Sequence, residues 1–339
     1  MRYQSRSSAM RVIAKPEHSS LEWLQLRHRD EKQRVVFGAS EAASLMNASL
    51  YETRATLIAR KMADVEVSEP SPAMMSGNLI EPVLIAEAAR RLDRAIVTPS
   101  LMIGRGRLVA TPDGIDQISV MRLAHGERIV PDLWIEAKCT SRFRVKTLED
   151  VPQAWLWQMT AQSFVCSEKD DAPTMMLVVL DADLHVNLIE IPRNVEAETL
   201  LAQTADRIGE MIDHGEIADE EIAAMTADEI ARIFKARDES VELPNDVVDW
   251  LFALEDAKQM RKQAEEQESR ARDWIAQHLR DATSGTLDGE IVVTWKEQQG
   301  RVSIDAKRLE QDHPDLVAQY KKQSDAYRVM RVSRKKGTK

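Results

Sequence analysis

The chain has 339 residues, 43% of them hydrophobic and 30% charged, with a formal net charge of −10. That composition suits a globular protein with one large core and an appendage, and no apolar run reaches the ~18 residues of a membrane helix. Two cysteines, Cys139 and Cys166, exclude a disulfide framework and a four-thiolate iron–sulfur cluster, while the lack of HExxH and of GxxxxGK[ST] argues against a zinc protease site and a nucleotide-driven motor. Residues 1–6 lack the apolar stretch of a signal peptide, so a cytoplasmic protein is expected. The acidic balance counts only weakly against nucleic-acid binding, because only charge within about 8–10 Å of a phosphate matters at ordinary salt.

Residues 1–18 show little periodicity and read as a flexible lead-in to a domain over 19–213. A helix is expected from Ser20, with Leu21, Leu24 and Trp23 on one side, and Gly38-Ala39-Ser40-Glu41 reads as a turn into a short helix capped by Ser40. Glu52 to Met62 is a second helix. Pro70, Pro72 and Gly77 read as a loop before a helix from Leu79 to Leu92, with Pro82 in its first turn or at a kink. The period then changes: Arg107 to Ala110 is a short strand, Thr111-Pro112-Asp113-Gly114 a turn, and Ile115 to Met121 a second strand. Leu133 to Cys139 alternates as a strand, Val151 to Val165 is a helix, and Thr174–Leu180 with Val186–Ile191 is a hairpin. Val195 to Asp213 closes this domain.

Residues 214–245 are acidic and weakly patterned, a helical connector ending near Pro244. The module over 246–339 opens with a helix from Val247 to Leu279, whose polar middle rules out a continuous coiled-coil seam. A hairpin follows, Glu290–Lys296 with Arg301–Ile304 around Gln299-Gly300, then a short helix near Pro314, a strand from Tyr327 to Val332 and a basic tail, Arg334-Lys335-Lys336.

Asp113, Glu136 and Lys138 carry the chemistry. Alternation along the strand sends Glu136 and Lys138 to one face, and Ile135 and Ala137 to the other. Asp113 meets Glu136 if the strands on either side pair antiparallel. Two carboxylates make a hard oxygen site of the kind Mg²⁺ or Mn²⁺ prefers, and a lysine beside them orients water and offsets charge on a phosphate. On these three residues alone, a solvated strand end beside an unrelated turn remains an equal alternative. Asp132 and Asp116 are the competing acids, one set further back along the strand and the other pointing away if Asp113 points in.

Six segments shift that balance: Trp23-Leu24-Gln25-Leu26-Arg27, Gly38-Ala39-Ser40-Glu41, Gly77-x-x-Ile80-Glu81-Pro82, Thr111-Pro112-Asp113-Gly114, Ile135-Glu136-Ala137-Lys138-Cys139 and Trp157-Gln158-Met159. In this order and spacing the chain resembles the YqaJ-type and phage lambda exonuclease family, within the PD-(D/E)XK nuclease superfamily. The module after 246 resembles the C-terminal extension of longer members, through Val293-Thr294-Trp295-Lys296 and Asp305-x-Lys307.

The resemblance implies an α/β fold, a mixed central sheet flanked by helices, with a C-terminal module of helix and β-hairpin. It implies a 5′→3′ exonuclease on double-stranded DNA ends. Asp113, Glu136 and the Ala137 carbonyl would be metal ligands, Lys138 would position the nucleophile, Glu81 would complete the acidic site, and Gln158 would support it. Two Mg²⁺ or Mn²⁺ ions per site are expected. Arg27 and Ser40 match positions that hold the 5′-phosphate, with Trp23 beside them. A further arginine is matched by Arg142 or Arg144, without a clean spacing. A ring-shaped trimer, a single-strand annealing partner and a phage- or prophage-encoded origin in a bacterial cytoplasm belong to the same resemblance. An endonuclease on the same core, or a DNA-binding or docking module without activity, are the competing readings.

Overall fold

The computed structural model describes residues 9–17, 20–63, 65, 71–127, 129–234, 236–300, 302–322, 328 and 330–332. Residues 1–8 and 18 of the expected lead-in, Pro70, Arg301, Tyr327 and the basic tail Arg334-Lys335-Lys336 lie outside the described residues. The chain divides into two units, residues 1–235 and 236–339.

In the first unit, β1 (Arg11–Ala14) precedes α1 (Leu21–Leu26), β2 (Phe37–Gly38), a 3₁₀ turn Ala39–Glu41, α2 (Ala42–Leu45), α3 (Arg54–Met62) and α4 (Pro72–Leu92). Next come β3 (Ile96–Val97), β4 (Leu101–Arg105), β5 (Leu108–Ala110), β6 (Gly114–Asp116), α5 (Gln117–Ala124) and β7 (Leu133–Cys139). The unit ends with α6 (Gln153–Cys166), β8 (Thr174–Leu180), β9 (Val186–Ile191), α7 (Val195–His214), α8 (Asp219–Ala223) and α9 (Ala227–Ile233).

The central sheet has the order β3-β6-β7-β8-β9. β6 pairs antiparallel with β7, and β8 with β9, but β7 and β8 run parallel, which requires the crossover that α6 supplies. Alternation along β7 splits the core. Ile135 and Leu133 pack with Leu84, Ile85 and Ala88 of α4 on one face, while Trp134 joins the larger cluster with Met159 and Val165 of α6 on the other. A second sheet, β1-β4-β5-β2, flanks this core.

Several expectations need correction. Arg11–Ala14 of the expected lead-in is a strand, paired antiparallel with β4. The helix expected from Leu79 starts at Pro72, capped by the Ser71 side chain, so Gly77 and Pro82 lie inside it. Proline at the first helical position costs nothing there, because that N–H has no helical partner anyway. Residues 117–124 are helical rather than extended, because the Asp116 side chain accepts from the Ser119 N–H and starts α5. Ser40 does not cap its helix: Gly38 holds the cap position, and its N–H donates to Glu41 Oε2 at 2.7 Å.

In the second unit, α10 (Val247–Leu279) leads to β10 (Ser284–Leu287), β11 (Glu290–Thr294), α11 (Ala306–Asp312) and α12 (Pro314–Tyr320). The hairpin turns at Asp288-Gly289, not Gln299-Gly300; both turn residues have positive φ, 50° and 85°. An Asp-Gly pair suits that two-residue turn, in which both positions must be left-handed. Residues 302–304 are not in a strand, nor are the described residues of 327–332. Among the described residues, no helix is long and apolar enough to cross a membrane.

Candidate active site

The β6–β7 register places the two acids side by side. Gly114 pairs with Ile135, so Asp113, one residue earlier, lies against Glu136 and Ala137. Asp113 Oδ2 accepts from the Ala137 N–H at 2.8 Å, and the Asp113 N–H donates to the Ile135 carbonyl at 3.2 Å. Gly114 is closely packed: a Cβ there would stand 3.0 Å from Ile96 Cγ2 and 3.1 Å from Ile85 Cδ1.

Glu136 is 3% exposed, which demands partners for both carboxylate oxygens. Lys138 Nζ donates to Oε1 at 2.6 Å, and from α6 the amide of Gln158 donates to the same oxygen and that of Gln162 to Oε2. Gln158 and Gln162 are four residues apart and so share a helix face. Gln162 escaped the sequence reading, although that spacing was its signal. Burial, then the charges of Glu136 and Glu81, hold the Asp113 carboxyl well above the usual range. Glu81, half-buried on α4, is raised by burial and by Glu136. Burial works against the Lys138 ammonium, but the surrounding acids outweigh it and raise its pKa. Glu81, Asp113 and Glu136 thus repel one another, and Lys138, with Lys15 acting on Glu81, offsets this only in part.

Among the described residues, no three His, Cys, Asp or Glu side chains close on one point as metal ligands. The donor chemistry nevertheless fits a hard divalent cation, since all the donors are oxygens and the mutual repulsion is what such an ion relieves. The competing acids are otherwise engaged. Asp116 caps α5 and accepts from the Leu133 N–H at 3.2 Å, and Asp132 is exposed.

A second cluster, of opposite sign, forms where α1, the Gly38 turn and α3 meet. Arg27 caps α1; its guanidinium lies 4.3 Å from the Trp23 ring centroid and donates to Ser40 Oγ at 2.6 Å. Trp23 is buried among Val36, Met102 and Val109, and serves as the platform. Gly38 leaves room for this guanidinium: a Cβ there would fall 2.3 Å from Arg27 Nη2, so the side chain would have to shift. Lys61, 1% exposed, donates to the Arg27 carbonyl at 2.7 Å and pairs with Glu41 at 2.8 Å. Arg60 pairs with Glu41 at 2.9 Å. Burial alone would raise the Glu41 pKa, but Lys61, Arg60 and Arg27 bring it down to about 2. Burial, only partly offset by Glu41, brings Lys61 down to about 8. Arg60 and Lys61 had no local signature in the sequence, and Glu41, although part of the Gly38–Glu41 segment, carried no assigned role there.

The two candidate arginines after Lys138 part company. Arg142 donates to the Tyr51 hydroxyl at 3.3 Å, while Arg144 pairs with Asp183 at 2.8 Å. A cavity of about 510 Å³ lined by Trp157, Leu156, Ile191 and Asn194 includes none of the predicted site residues.

A mixed sheet covered by helices on both faces, with an aspartate before one strand and Glu-x-Lys on its neighbour, is the PD-(D/E)XK fold. Residues 22–169 match the model of the YqaJ-like viral recombinase domain. Among solved structures, the alkaline exonuclease LHK-Exo from Laribacter hongkongensis aligns over 57% of this chain and 95% of its own, at 16% identity and a TM-score of 0.37. LHK-Exo in complex with dAMP gives the same coverage and identity, with a TM-score of 0.34. No curated protein matches the chain.

Proposed function

We propose that this protein is a metal-dependent deoxyribonuclease that degrades double-stranded DNA 5′→3′ from its ends, leaving 3′ single strands for recombination by annealing. The observation that carries the reading is the convergence of Asp113, Glu136 and Lys138, with Asp113 bonded to the Ala137 N–H and Lys138 to Glu136. Asp113, Glu136 and the Ala137 carbonyl would hold Mg²⁺ or Mn²⁺, with Glu81 toward a second ion. Such ions supply Lewis-acid polarisation of the phosphate and acidify water. Lys138 orients the attacking water and offsets charge growing on the phosphate. Gln158 and Gln162 fix the Glu136 carboxylate in place.

Arg27 and Ser40 take the 5′-phosphate, and this sets the polarity. The guanidinium fork suits phosphate oxygens, and Trp23 and Gly38 already hold it in one orientation. A ring-shaped trimer around the duplex and a single-strand annealing partner complete the reading, on family resemblance.

The test is digestion, with magnesium, of linear duplexes labelled at either end, with a nicked circle as control. Release of the 5′ label first, with the 3′ strand left intact, supports the proposal. Equal cleavage of circular and linear DNA would show an endonuclease instead.

A further inference from the structure

We infer, on the phosphate reading of the basic corner, that the buried Lys61 is a positioning residue for the 5′-phosphate. It ties the end of α1 to the Gly38 turn and so holds Arg27 and Ser40 on one phosphate group. Lys61 is 1% exposed, yet its ammonium donates to the Arg27 carbonyl at 2.7 Å and pairs with Glu41 Oε2 at 2.8 Å. The first contact takes a carbonyl at the end of α1 that has no helical partner. The second fixes the carboxylate oxygen that also accepts the Gly38 N–H at 2.7 Å, in the turn that carries Ser40. One side chain of α3 therefore joins the two segments that meet in the Arg27–Ser40 bond. Stability alone gives no reason for a lysine here. An apolar side chain against Phe37, whose ring centroid lies 5.5 Å from Nζ, would avoid the cost of burying charge, and such replacements of whole ion pairs are often neutral or stabilising. What the charged contacts add is direction, because each fixes a donor on a particular oxygen.

The same burial gives the pocket a pH response. Lys61 is brought down to about 8 by burial, only partly offset by Glu41. The other groups that face it do not change charge near that pH. Glu41 is held down to about 2, and His28, just past α1, is pushed down to about 4 by burial and then by Lys61 and Arg29. Arg27, Arg29 and Arg60 are guanidinium groups and keep their charge. Arg29 reaches the Lys61 carbonyl at 3.1 Å and pairs with Asp213 of α7. α8 and α9 also pack on α3, but Glu221 pairs with Arg54 and Glu229 accepts from Thr56. Above about pH 8 the corner therefore loses one positive charge and the ionic hold on Glu41.

The test uses the full-length chain with magnesium, on linear duplexes with and without a 5′-phosphate, between pH 7 and 9. Two variants are compared with the native enzyme. Lys61→Met keeps the length of the side chain without its charge. Lys61→Met with Glu41→Gln leaves neither partner buried as a lone ion, and circular dichroism checks its fold. At pH 7 the preference for phosphorylated ends, about tenfold in the native enzyme, is expected to fall below about threefold in both variants, through KM and not kcat. The native preference is expected to fade as pH rises through about 8, while both variants show a flat profile. A side chain that only supported the fold would lower the melting temperature without moving either reading. A preference kept in both variants, or one pH profile shared by native enzyme and variants, would overturn the role of Lys61 and leave the phosphate pocket standing. A native enzyme equally fast on both ends at pH 7 would remove the pocket itself, and the role of Lys61 with it.

Discussion

The two charged clusters of the first unit are built alike and differ in sign. Each buries one ion deeply, Glu136 in one and Lys61 in the other, and each surrounds it with an excess of one charge. At the acidic centre the result is repulsion, with Asp113 and Glu81 held above their usual range. At the basic corner three cations share Glu41, whose carboxyl is held down to about 2. One cluster calls for a cation and the other for an anion. Glu136 contributes to the electrostatics of Arg27, so they lie within reach of each other's charge.

The sharpest way to break the symmetry is to remove the ion that holds the basic corner together. Glu41→Ala leaves Lys61 buried without its carboxylate, and loss of one partner of a buried pair costs about 3–5 kcal/mol. Thermal unfolding is expected roughly 10 °C lower, at about 2–4 °C per kcal/mol for a domain of this size. Because Glu41 is depressed from 4.5 to about 2, its stabilisation is present above pH 4.5 and is lost as pH falls through about 2. Glu41→Gln should flatten that acid limb. An unchanged acid limb would mean that the carboxylate holds nothing.

At the acidic centre the loss to look for is in rate. Glu136→Gln keeps the shape of the side chain but removes the charge that Lys138 pairs with, and Lys138→Ala removes the positioned amine. Each should lower cleavage by roughly 10²–10³-fold, as for loss of a preorganised electrostatic group. Circular dichroism and DNA binding should stay near native, and calcium should support binding without turnover. A variant that cleaves at the native rate would remove Glu136 or Lys138 from the chemistry.

How much of this was legible in advance follows from the range of the interactions. β7, the β8–β9 hairpin and α10 were readable from local alternation and periodicity alone, and their bounds coincide with those read from sequence. The start of α4 was signalled by Ser71-Pro72 but was outvoted by the proline and glycine nearby. The Asp288-Gly289 turn carried the stronger hairpin signature and was passed over for Gln299-Gly300. At the site, Asp113, Glu136 and Lys138 were readable because strand pairing is a short-range rule. Lys61 reaches Arg27 across 34 residues, and in sequence it is one more lysine in a helix.

A milder perturbation tests whether the basic corner reads phosphate. Removing the 5′-phosphate from a linear duplex should slow the native enzyme about tenfold, the effect of losing about 1.4 kcal/mol of binding. Arg27→Lys should show the same slow rate on both substrates, because a point charge on a flexible stem does not replace the fork. If the native enzyme degrades both ends equally fast, the corner is structural only.

The smallest expected effect is the most informative about geometry. Gly38→Ala changes no charge anywhere, yet its Cβ would stand 2.3 Å from Arg27 Nη2 and 2.7 Å from Nε. The Trp23 ring lies 4.3 Å from the guanidinium, so displacement by the new Cβ is expected to swing it away from Ser40 Oγ. Loss of one such aim is worth about 1 kcal/mol. KM for phosphorylated ends should therefore rise roughly fivefold with kcat unchanged, since Lys138 and Glu136 are untouched. A fall in kcat with KM unchanged would place Gly38 with the acidic centre, and the division between a cluster that binds and a cluster that cleaves would be lost.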